Sequence, residues 1–358
     1  MRQHTFPLEK SRRRWVWTAG VGVVLLLAGQ GLAWRWKLEA PRPPMGLPKI
    51  PWPEHNPFSR EKAHLGRLLF FDKRLSSDGT IACAGCHDPA RAFSDRVAVS
   101  EGIHKRKGRR NASTLVNRAY SEEQFWDARS PSLDEQAIAP IANPDEMTTA
   151  ATAEEAHRTC VERLAAVPGY RTLFRRAFGD DNVTAERVGK ALATFERTLL
   201  SGNSPYDRYQ AGNMAALSPA QVRGKELFFG RANCFACHSG PNFTDEIPAN
   251  TGVGQARPQA DRGRVEITHQ EWETGFFKPP SLREVALTGP YMHDGSVKTL
   301  NDAVEHYNKG GGKNPYLDER LSKLHLTAAE KQDLVEFLRA LSGEGWQHAQ
   351  APAPETMP

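Results

Sequence analysis

The sequence predicts a mainly α-helical fold of two similar lobes, with long loops and little strand. Apolar residues recur at helical spacing over residues 184–200 and 327–341, whereas alternating strand patterns are scarce. One cysteine motif also occurs twice, each time after a similar helical segment. An internal repeat of this kind indicates two copies of one structural unit.

The repeated motif is Cys-x-x-Cys-His. It comprises Cys83, Cys86 and His87 in the first copy and Cys234, Cys237 and His238 in the second. Two thiols at this spacing reach the two vinyl groups of one porphyrin, and the next residue offers an imidazole to the iron. Zinc and thiol-redox sites also use Cys-x-x-Cys, but neither explains a histidine after both pairs. The sequence therefore predicts two cytochrome-c-like lobes, each with one covalently bound haem.

Helix signals surround both motifs. Gly66-Arg-Leu-Leu-Phe precedes the first and Gly224-Lys-Glu-Leu-Phe precedes the second. Ser218 followed by proline predicts a helix start, and Thr327 predicts the cap of a closing helix. The fifth cysteine, Cys160, falls in a helical pattern that Pro168 ends, and is predicted to be a buried core thiol.

The charge distribution indicates export and not nucleic-acid binding. The net charge is +5, but residues 1–48 alone hold eight basic and two acidic residues. Three arginines precede the uncharged run 15–34, which is typical of a signal peptide or an uncleaved membrane anchor. Either would deliver the chain to the periplasm, soluble or tethered to the inner membrane, and no nucleic-acid partner is expected.

The predicted organisation has five parts. They are a leader at residues 1–36, a proline-rich tether at 37–57, a first cytochrome c lobe at 58–205, a second lobe at 206–345, and a disordered tail at 346–358. Proline prevents a helix in the tether, and the tail is rich in alanine and proline.

From about Asn56 to Gly343 the sequence resembles the bacterial dihaem cytochrome c peroxidase/MauG family. The motifs that carry the resemblance, besides the haem motifs, are Arg110-Asn-Ala-Ser-Thr, Gln124-Phe-Trp-Asp-Ala-Arg, Glu135-Gln-Ala, Asn143-Pro-Asp-Glu-Met, Thr288-Gly-Pro-Tyr-Met-His-Asp-Gly, and Ala303-Val-Glu-His-Tyr-Asn-Lys-Gly-Gly. The resemblance implies that the first haem reacts with peroxide and that His87 and His238 are the proximal ligands of the two irons.

Further site residues follow from the same resemblance. Trp126 is expected to relay electrons between the haems, Gln136 and Glu146 to handle peroxide above the first haem, Pro140 to line that pocket, His293 to contact a haem, and Asn111 to bind calcium with the carbonyl groups of Thr288 and Pro290. Without the resemblance, Glu146 would be a solvent-facing acid and Trp126 a packing residue.

Three positions distinguish the branches of the family. Tyr307 stands where the peroxidase branch has a methionine ligand to the second iron and the MauG branch has a tyrosine. Ile103 replaces the histidine that caps the first haem in peroxidases, although His104 is adjacent. Ala232 replaces a surface tryptophan of the MauG branch. The alternative for Tyr307 is a core tyrosine.

These residues predict a peroxide-dependent MauG-type oxidase. It would form a high-valent bis-ferryl state and oxidise tryptophan or tyrosine side chains of a periplasmic partner protein, as in the methanobactin-associated dihaem subgroup. The alternative is a cytochrome c peroxidase that reduces hydrogen peroxide with electrons from a small cytochrome or cupredoxin. A non-catalytic electron carrier is the third possibility, which Gln136 and Glu146 disfavour.

Overall fold

The computed structural model describes residues 40–358, and the predicted leader lies outside them. Among the described residues, none of the helices has the length and apolar character needed to cross a membrane. The α-helices in this range are Arg60–Phe70 (α1), Cys83–Cys86 (α2), Leu133–Ile138 (α3), Ala153–Ala165 (α4), Pro168–Phe178 (α5), Ala185–Glu196 (α6), Pro205–Gln210 (α7), Pro219–Phe229 (α8), Val265–Thr268 (α9), Leu300–Asn308 (α10) and Ala328–Arg339 (α11).

Long loops with single 3₁₀ turns connect these helices. The turns in residues 40–358 are Lys73–Leu75, Pro89–Arg91, Ile103–Lys105, Arg118–Tyr120, Ala139–Ala142, Met214–Ala216, Cys234–Ala236, Glu271–Glu273, Trp346–His348 and Pro354–Thr356. Extended segments of the described chain pair only through isolated bridges, such as the one between Gly202 and Glu344. The prediction of a mainly helical fold with little strand is confirmed.

The helix starts follow from local capping. The Ser218 hydroxyl accepts a hydrogen bond from the backbone N–H of Gln221, and the side-chain oxygen of Gln221 accepts one from the backbone N–H of Ser218, so that α8 begins as predicted. Thr327 forms the corresponding box at the start of α11. Pro168 begins α5 and does not merely end α4, because proline fits the first turn of a helix, where no amide donor is needed.

Each lobe has its own apolar core, built on one close helix crossing. In the first lobe α1 crosses α6 at Gly66, where a Cβ would lie 1.9 Å from the carbonyl oxygen of Ala191. In the second lobe α8 crosses α11 at Gly224, where a Cβ would lie 1.9 Å from the carbonyl oxygen of Asp333. Buried side chains close around both crossings, and the first core includes Cys160, as predicted.

The proline-rich segment does not behave as a free tether. It contains no helix, as expected, but Ile50 is buried with Ala119 and Leu200. Asn56 is fully buried and its side-chain amide donates to Asp134. The expectation of a tether is corrected over residues 40–57, because apolar and hydrogen-bonding side chains between the prolines attach this segment to the first lobe.

The expected disordered tail is also corrected. Trp346 is 5% exposed and its ring lies 6.3 Å from that of Phe93, in the core of the first lobe. The carbonyl oxygen of Gln350 accepts hydrogen bonds from the guanidinium group of Arg67. Trp346 thus supplies the buried apolar surface that the alanine and proline residues of this tail do not provide.

Candidate active site

The first Cys-x-x-Cys-His motif forms one wall of a cavity in the first lobe. Cys83, Cys86 and His87 all line this cavity. His87 is held by a hydrogen bond from its Nδ1 to the carbonyl oxygen of Phe93, at 3.1 Å. This bond leaves Nε2 with its lone pair, and burial lowers the pKa of His87, so that the imidazole is neutral and able to bind a metal.

The second motif repeats this arrangement in the second lobe. Cys234, Cys237 and His238 line a second cavity, and Nδ1 of His238 donates to the carbonyl oxygen of Phe243 at 3.0 Å. None of the four motif cysteines is paired in a disulfide within residues 40–358, so that all four are available for thioether bonds to a porphyrin. The residues present therefore fit one c-type haem in each cavity.

The residues expected to handle peroxide lie together on the first cavity. Gln136, Pro140 and Glu146 all line it. Asn143 donates a hydrogen bond of 2.5 Å from its amide to Oε1 of Glu146. Burial raises the pKa of Glu146, and the bond from Asn143 opposes this rise only in part.

No histidine caps this cavity within the described residues. Ile103 is fully buried and its backbone N–H donates to the carbonyl oxygen of Glu146 at 2.9 Å. His104 is exposed and is absent from the residues that line the cavity. Among residues 40–358, then, the only histidine on the wall is His87.

Tyr307 lies in the second cavity. It belongs to α10 and lines the cavity together with His238. Burial raises the pKa of its phenol, and the two neighbouring motif cysteines raise it further. The phenol is therefore neutral unless a cation stabilises its ionised form.

His293 lines the second cavity from the loop that precedes α10. Its ring stacks on Phe277 with 3.6 Å between the centroids and an angle of 11°. Burial lowers the pKa of His293 to about 4, so that the ring is neutral at physiological pH. A neutral, stacked imidazole is suited to contacting a flat cofactor.

Trp126 lies in the wall that separates the two cavities, and it lines both. Its indole N–H donates to the carbonyl oxygen of Asn111 at 2.9 Å. The backbone N–H of Asn111 donates in turn to the carbonyl oxygen of His293 at 2.7 Å. Hydrogen bonds thus fix Trp126 between a first-lobe loop and the second-lobe cavity.

The three residues expected to bind calcium are found on one cavity. Asn111, Thr288 and Pro290 all line it. The side-chain nitrogen of Asn111 donates to the carbonyl oxygen of Val97 at 2.9 Å. This bond uses the nitrogen and leaves the side-chain oxygen of Asn111 to bind another group. Residues 40–358 hold no cluster of three or more histidine, cysteine or acidic side chains suited to a metal ion. A site made of amide and backbone carbonyl oxygens lies outside that class, and calcium stays a prediction.

Ala232, at the position of the surface tryptophan in the MauG branch, is only 6% exposed and belongs to the second core. A larger side chain would have to displace core neighbours there. The position therefore offers no exposed side chain for a contact with a partner protein.

Several charged residues on these cavities belong to no motif that the sequence singles out, among them Arg118, Glu196 and Lys278. Arg118 and Lys278 line both cavities, and Glu196 lines the first. Burial raises the pKa of Glu196 to about 8 and lowers that of Lys278 to about 7. The one sequence signal for such a residue was Glu196 itself, which follows Phe195 on the apolar face of α6.

Two family models match the chain. The model described as di-haem cytochrome c peroxidase matches residues 60–215, and the model described as cytochrome c matches residues 221–342.

Curated relatives and a solved structure agree with these matches. The methylamine utilization protein MauG of Methylorubrum extorquens is 40% identical over 296 residues, which cover 82% of each chain. The cytochrome-c peroxidase IdrP1 of Denitromonas iodatirespirans is 38% identical over 337 residues, covering 85% of this chain and 88% of the relative. A crystal structure described as a MauG-like protein associated with microbial copper homeostasis superimposes with a TM-score of 0.76 at 33% identity, covering 90% of this chain and 98% of that one.

Proposed function

Since this chain belongs to the dihaem cytochrome c peroxidase/MauG family, we propose that it is a MauG-type oxidase that uses peroxide to oxidise tryptophan or tyrosine side chains of a partner protein. Family membership makes it a haem-dependent oxidoreductase of the peroxidase class and implies two haem c groups. The observation that carries the finer proposal is Tyr307, which lines the second cavity together with His238.

The first cavity would manage the protons of peroxide. Glu146 in its ionised form accepts the first proton of hydrogen peroxide and returns it to the departing oxygen as water leaves. Gln136 offers both a donor and an acceptor to orient the peroxide. Within residues 40–358, His87 is the one histidine that lines this cavity, so that no second imidazole of its wall would compete with the substrate.

The second cavity would stabilise oxidised states. Haem c held there by Cys234, Cys237 and His238 would supply a redox-active iron, for which the Oη atom of Tyr307 is a candidate ligand. Tyr307 must lose its proton to bind, and only a nearby cation offsets the cost that burial imposes on the anion. An anionic oxygen favours higher oxidation states, whereas a thioether ligand raises the reduction potential.

Trp126 would connect the two cavities electronically. It lines both, and its indole N–H bond to the carbonyl oxygen of Asn111 keeps the ring in place. An electron can therefore cross the wall without a change of conformation. Both oxidising equivalents of one peroxide are then available for long-range electron transfer from a docked protein.

Optical spectroscopy tests this proposal. The purified protein treated with hydrogen peroxide should show a long-lived near-infrared band typical of a bis-ferryl state. Tyr307→Met should abolish the band, because it replaces the anionic oxygen by a thioether. Tyr316→Met serves as the control, since Tyr316 does not line the cavity, and it should leave the band unchanged.

The contrary result favours the alternative. If the parent protein gives no band but consumes peroxide with a reduced small cytochrome or cupredoxin as electron donor, it is a cytochrome c peroxidase. The relatives named cytochrome c551 peroxidase, such as the one of Nitrosomonas europaea at 37% identity, favour this second candidate.

The proposal also includes location and calcium. Attachment of haem c after export would place the chain in the periplasm, either released or tethered by residues 15–34. One Ca²⁺ ion would bind Asn111 with the carbonyl oxygens of Thr288 and Pro290, which lie on the same cavity as His293.

A further inference from the structure

Trp272 is an exposed tryptophan in the second lobe. Its exposed fraction is 56%, and it lies in the single turn Glu271–Glu273. The other tryptophans among residues 40–358, Trp52, Trp126 and Trp346, are half-buried or buried. An indole is large and apolar, so leaving it in water forgoes stabilisation that burial would provide.

Two aromatic contacts, joined by the peptide bond between Phe276 and Phe277, connect this surface indole to the second cavity. Trp272 contacts Phe276 edge to face, with 5.7 Å between the centroids. The next residue, Phe277, lines the second cavity and stacks on His293 at 3.6 Å. Phe276 and Phe277 are not readily oxidised themselves, but a packed path couples two redox centres better than water does.

A second connection leads from the same segment to Trp126. Lys278 follows Phe277 directly, and its backbone N–H donates to the carbonyl oxygen of Trp126 at 2.7 Å. Earlier in the segment, Glu266 and Ile267 of α9 line the first cavity. The stretch from residue 263 to 278 therefore reaches both cavities and the tryptophan between them.

The backbone of this segment is fixed. The N–H of Gly275 donates to the carbonyl oxygen of Arg262 at 2.7 Å, which closes the loop that carries Trp272. Gly275 has a φ of +76°, and a Cβ there would lie 2.5 Å from the side-chain nitrogen of Asn250. The exposed indole is thus presented by a tightly packed turn and not by a free loop.

We propose that Trp272 is the surface relay through which oxidising equivalents leave the haem cavities for the partner protein. This inference rests on the proposed function and adds its exit point. One electron passes from the indole of Trp272 to the cavities, and the indole proton goes to solvent. A tryptophan or tyrosine side chain of the docked partner then returns one electron and one proton to Trp272.

Two such transfers are needed for each hydrogen peroxide that is reduced. Each transfer oxidises the partner by one electron, and two transfers supply the two electrons and two protons that convert one hydrogen peroxide into two waters. Without a partner, Trp272 would itself lose both electrons. It would then take an oxygen atom from water and become hydroxytryptophan.

Peptide mass spectrometry of the intact haem-loaded protein tests the relay. After one equivalent of hydrogen peroxide without a partner, Trp272 should gain oxygen and Trp52 should not, since Trp52 packs on Phe58 and no residue from 52 to 58 lines either cavity. Phe276→Leu should reduce the modification of Trp272 several-fold, because it removes the ring contact while leaving the indole exposed. The near-infrared band is recorded in the same samples.

The two readouts separate the relay from the proposed function. A band with unmodified Trp272, or equal modification in Phe276→Leu, overturns the relay alone. Oxygen on Trp272 without a band overturns the bis-ferryl part of the proposed function and keeps Trp272 as the residue through which peroxide-derived oxidising equivalents leave. The absence of both overturns both. If Phe276→Leu misfolds, Trp272→Phe provides a second measurement. After peroxide treatment, freeze-quench magnetic resonance should show a tryptophan radical in the parent and in Trp52→Phe. The same radical signal must be missing in Trp272→Phe.

Discussion

The carboxyl group of Glu146 lies where its charged form is poorly solvated. Burial raises its pKa, while the amide of Asn143, 2.5 Å away, lowers it by donating to the carboxylate. The rise brings the group nearer to the working pH, where a carboxyl group can both accept and return a proton. A solvent-facing acid would be ionised at all such pH values and would be a weak proton donor.

Glu146→Gln should slow the reaction with hydrogen peroxide by about 10²–10⁴-fold, because the amide cannot accept the peroxide proton. In the parent, the rate should fall as the pH decreases through the raised pKa of Glu146, since the ionised form is the base. Stopped-flow absorbance over a pH series measures both effects. Glu135→Gln is the control, because Glu135 is exposed and absent from the cavity wall. An unchanged rate in Glu146→Gln would exclude a role as the base.

Sequence motifs could locate some of these residues but not others. Tyr307 and Trp126 stand in contiguous motifs, and the structure places both on the cavities. Glu196 and Lys278 belong to no such motif, and their place on the cavities depends on how α6 and a second-lobe loop pack. Their unusual pKa values arise from burial, which spacing along the chain does not encode.

The repeated segments that begin at Gly66 and Gly224 are explained by how the helices pack. Gly66 and Gly224 are the points where α1 meets α6 and where α8 meets α11. Each allows two backbones to approach more closely than any side chain would permit. The phenylalanines four residues later, Phe70 and Phe228, are buried in the two cores. The same kind of close helix crossing therefore supports both haem motifs.

Gly224→Ala should lower the free energy of unfolding by about 1–3 kcal/mol, because its methyl group would meet the carbonyl oxygen of Asp333 and Cβ of Phe337. Urea unfolding followed by circular dichroism measures the change. Gly108→Ala is the matched control, since the nearest atom to its Cβ would be 3.9 Å away. Equal stability of the two variants would show that the α8–α11 crossing adjusts without cost.

At the scale of the whole molecule, buried polar contacts join the two lobes. Arg110 of the first lobe binds Asp261 of the second at 2.7 Å and Asp127 at 2.6 Å. Bidentate charge pairs of this kind fix geometry, because the guanidinium group must satisfy both carboxylates at once. Both cavities, and Trp126 between them, therefore keep one relative arrangement.

Residues 346–358 form a second connection, from the end of the second lobe to the core of the first, which composition alone could not predict. Residues 346–358 are rich in alanine and proline, and this composition indicated disorder. The structure instead returns Trp346 to the first core, against Phe93, whose carbonyl oxygen accepts the hydrogen bond from His87. Burial of Trp346 depends on a partner some 250 residues earlier in the chain, which no local pattern records.

Trp346→Ala should therefore destabilise the first lobe, although it lies beyond the second. Removing a buried tryptophan typically costs about 3–5 kcal/mol through lost burial and the cavity left behind. Urea unfolding followed by the absorbance of each haem should show the first lobe unfolding at lower urea. Glu355→Ala, in the exposed part of the same tail, should leave the midpoint unchanged. If both variants unfold like the parent, the burial of Trp346 does not stabilise the first lobe.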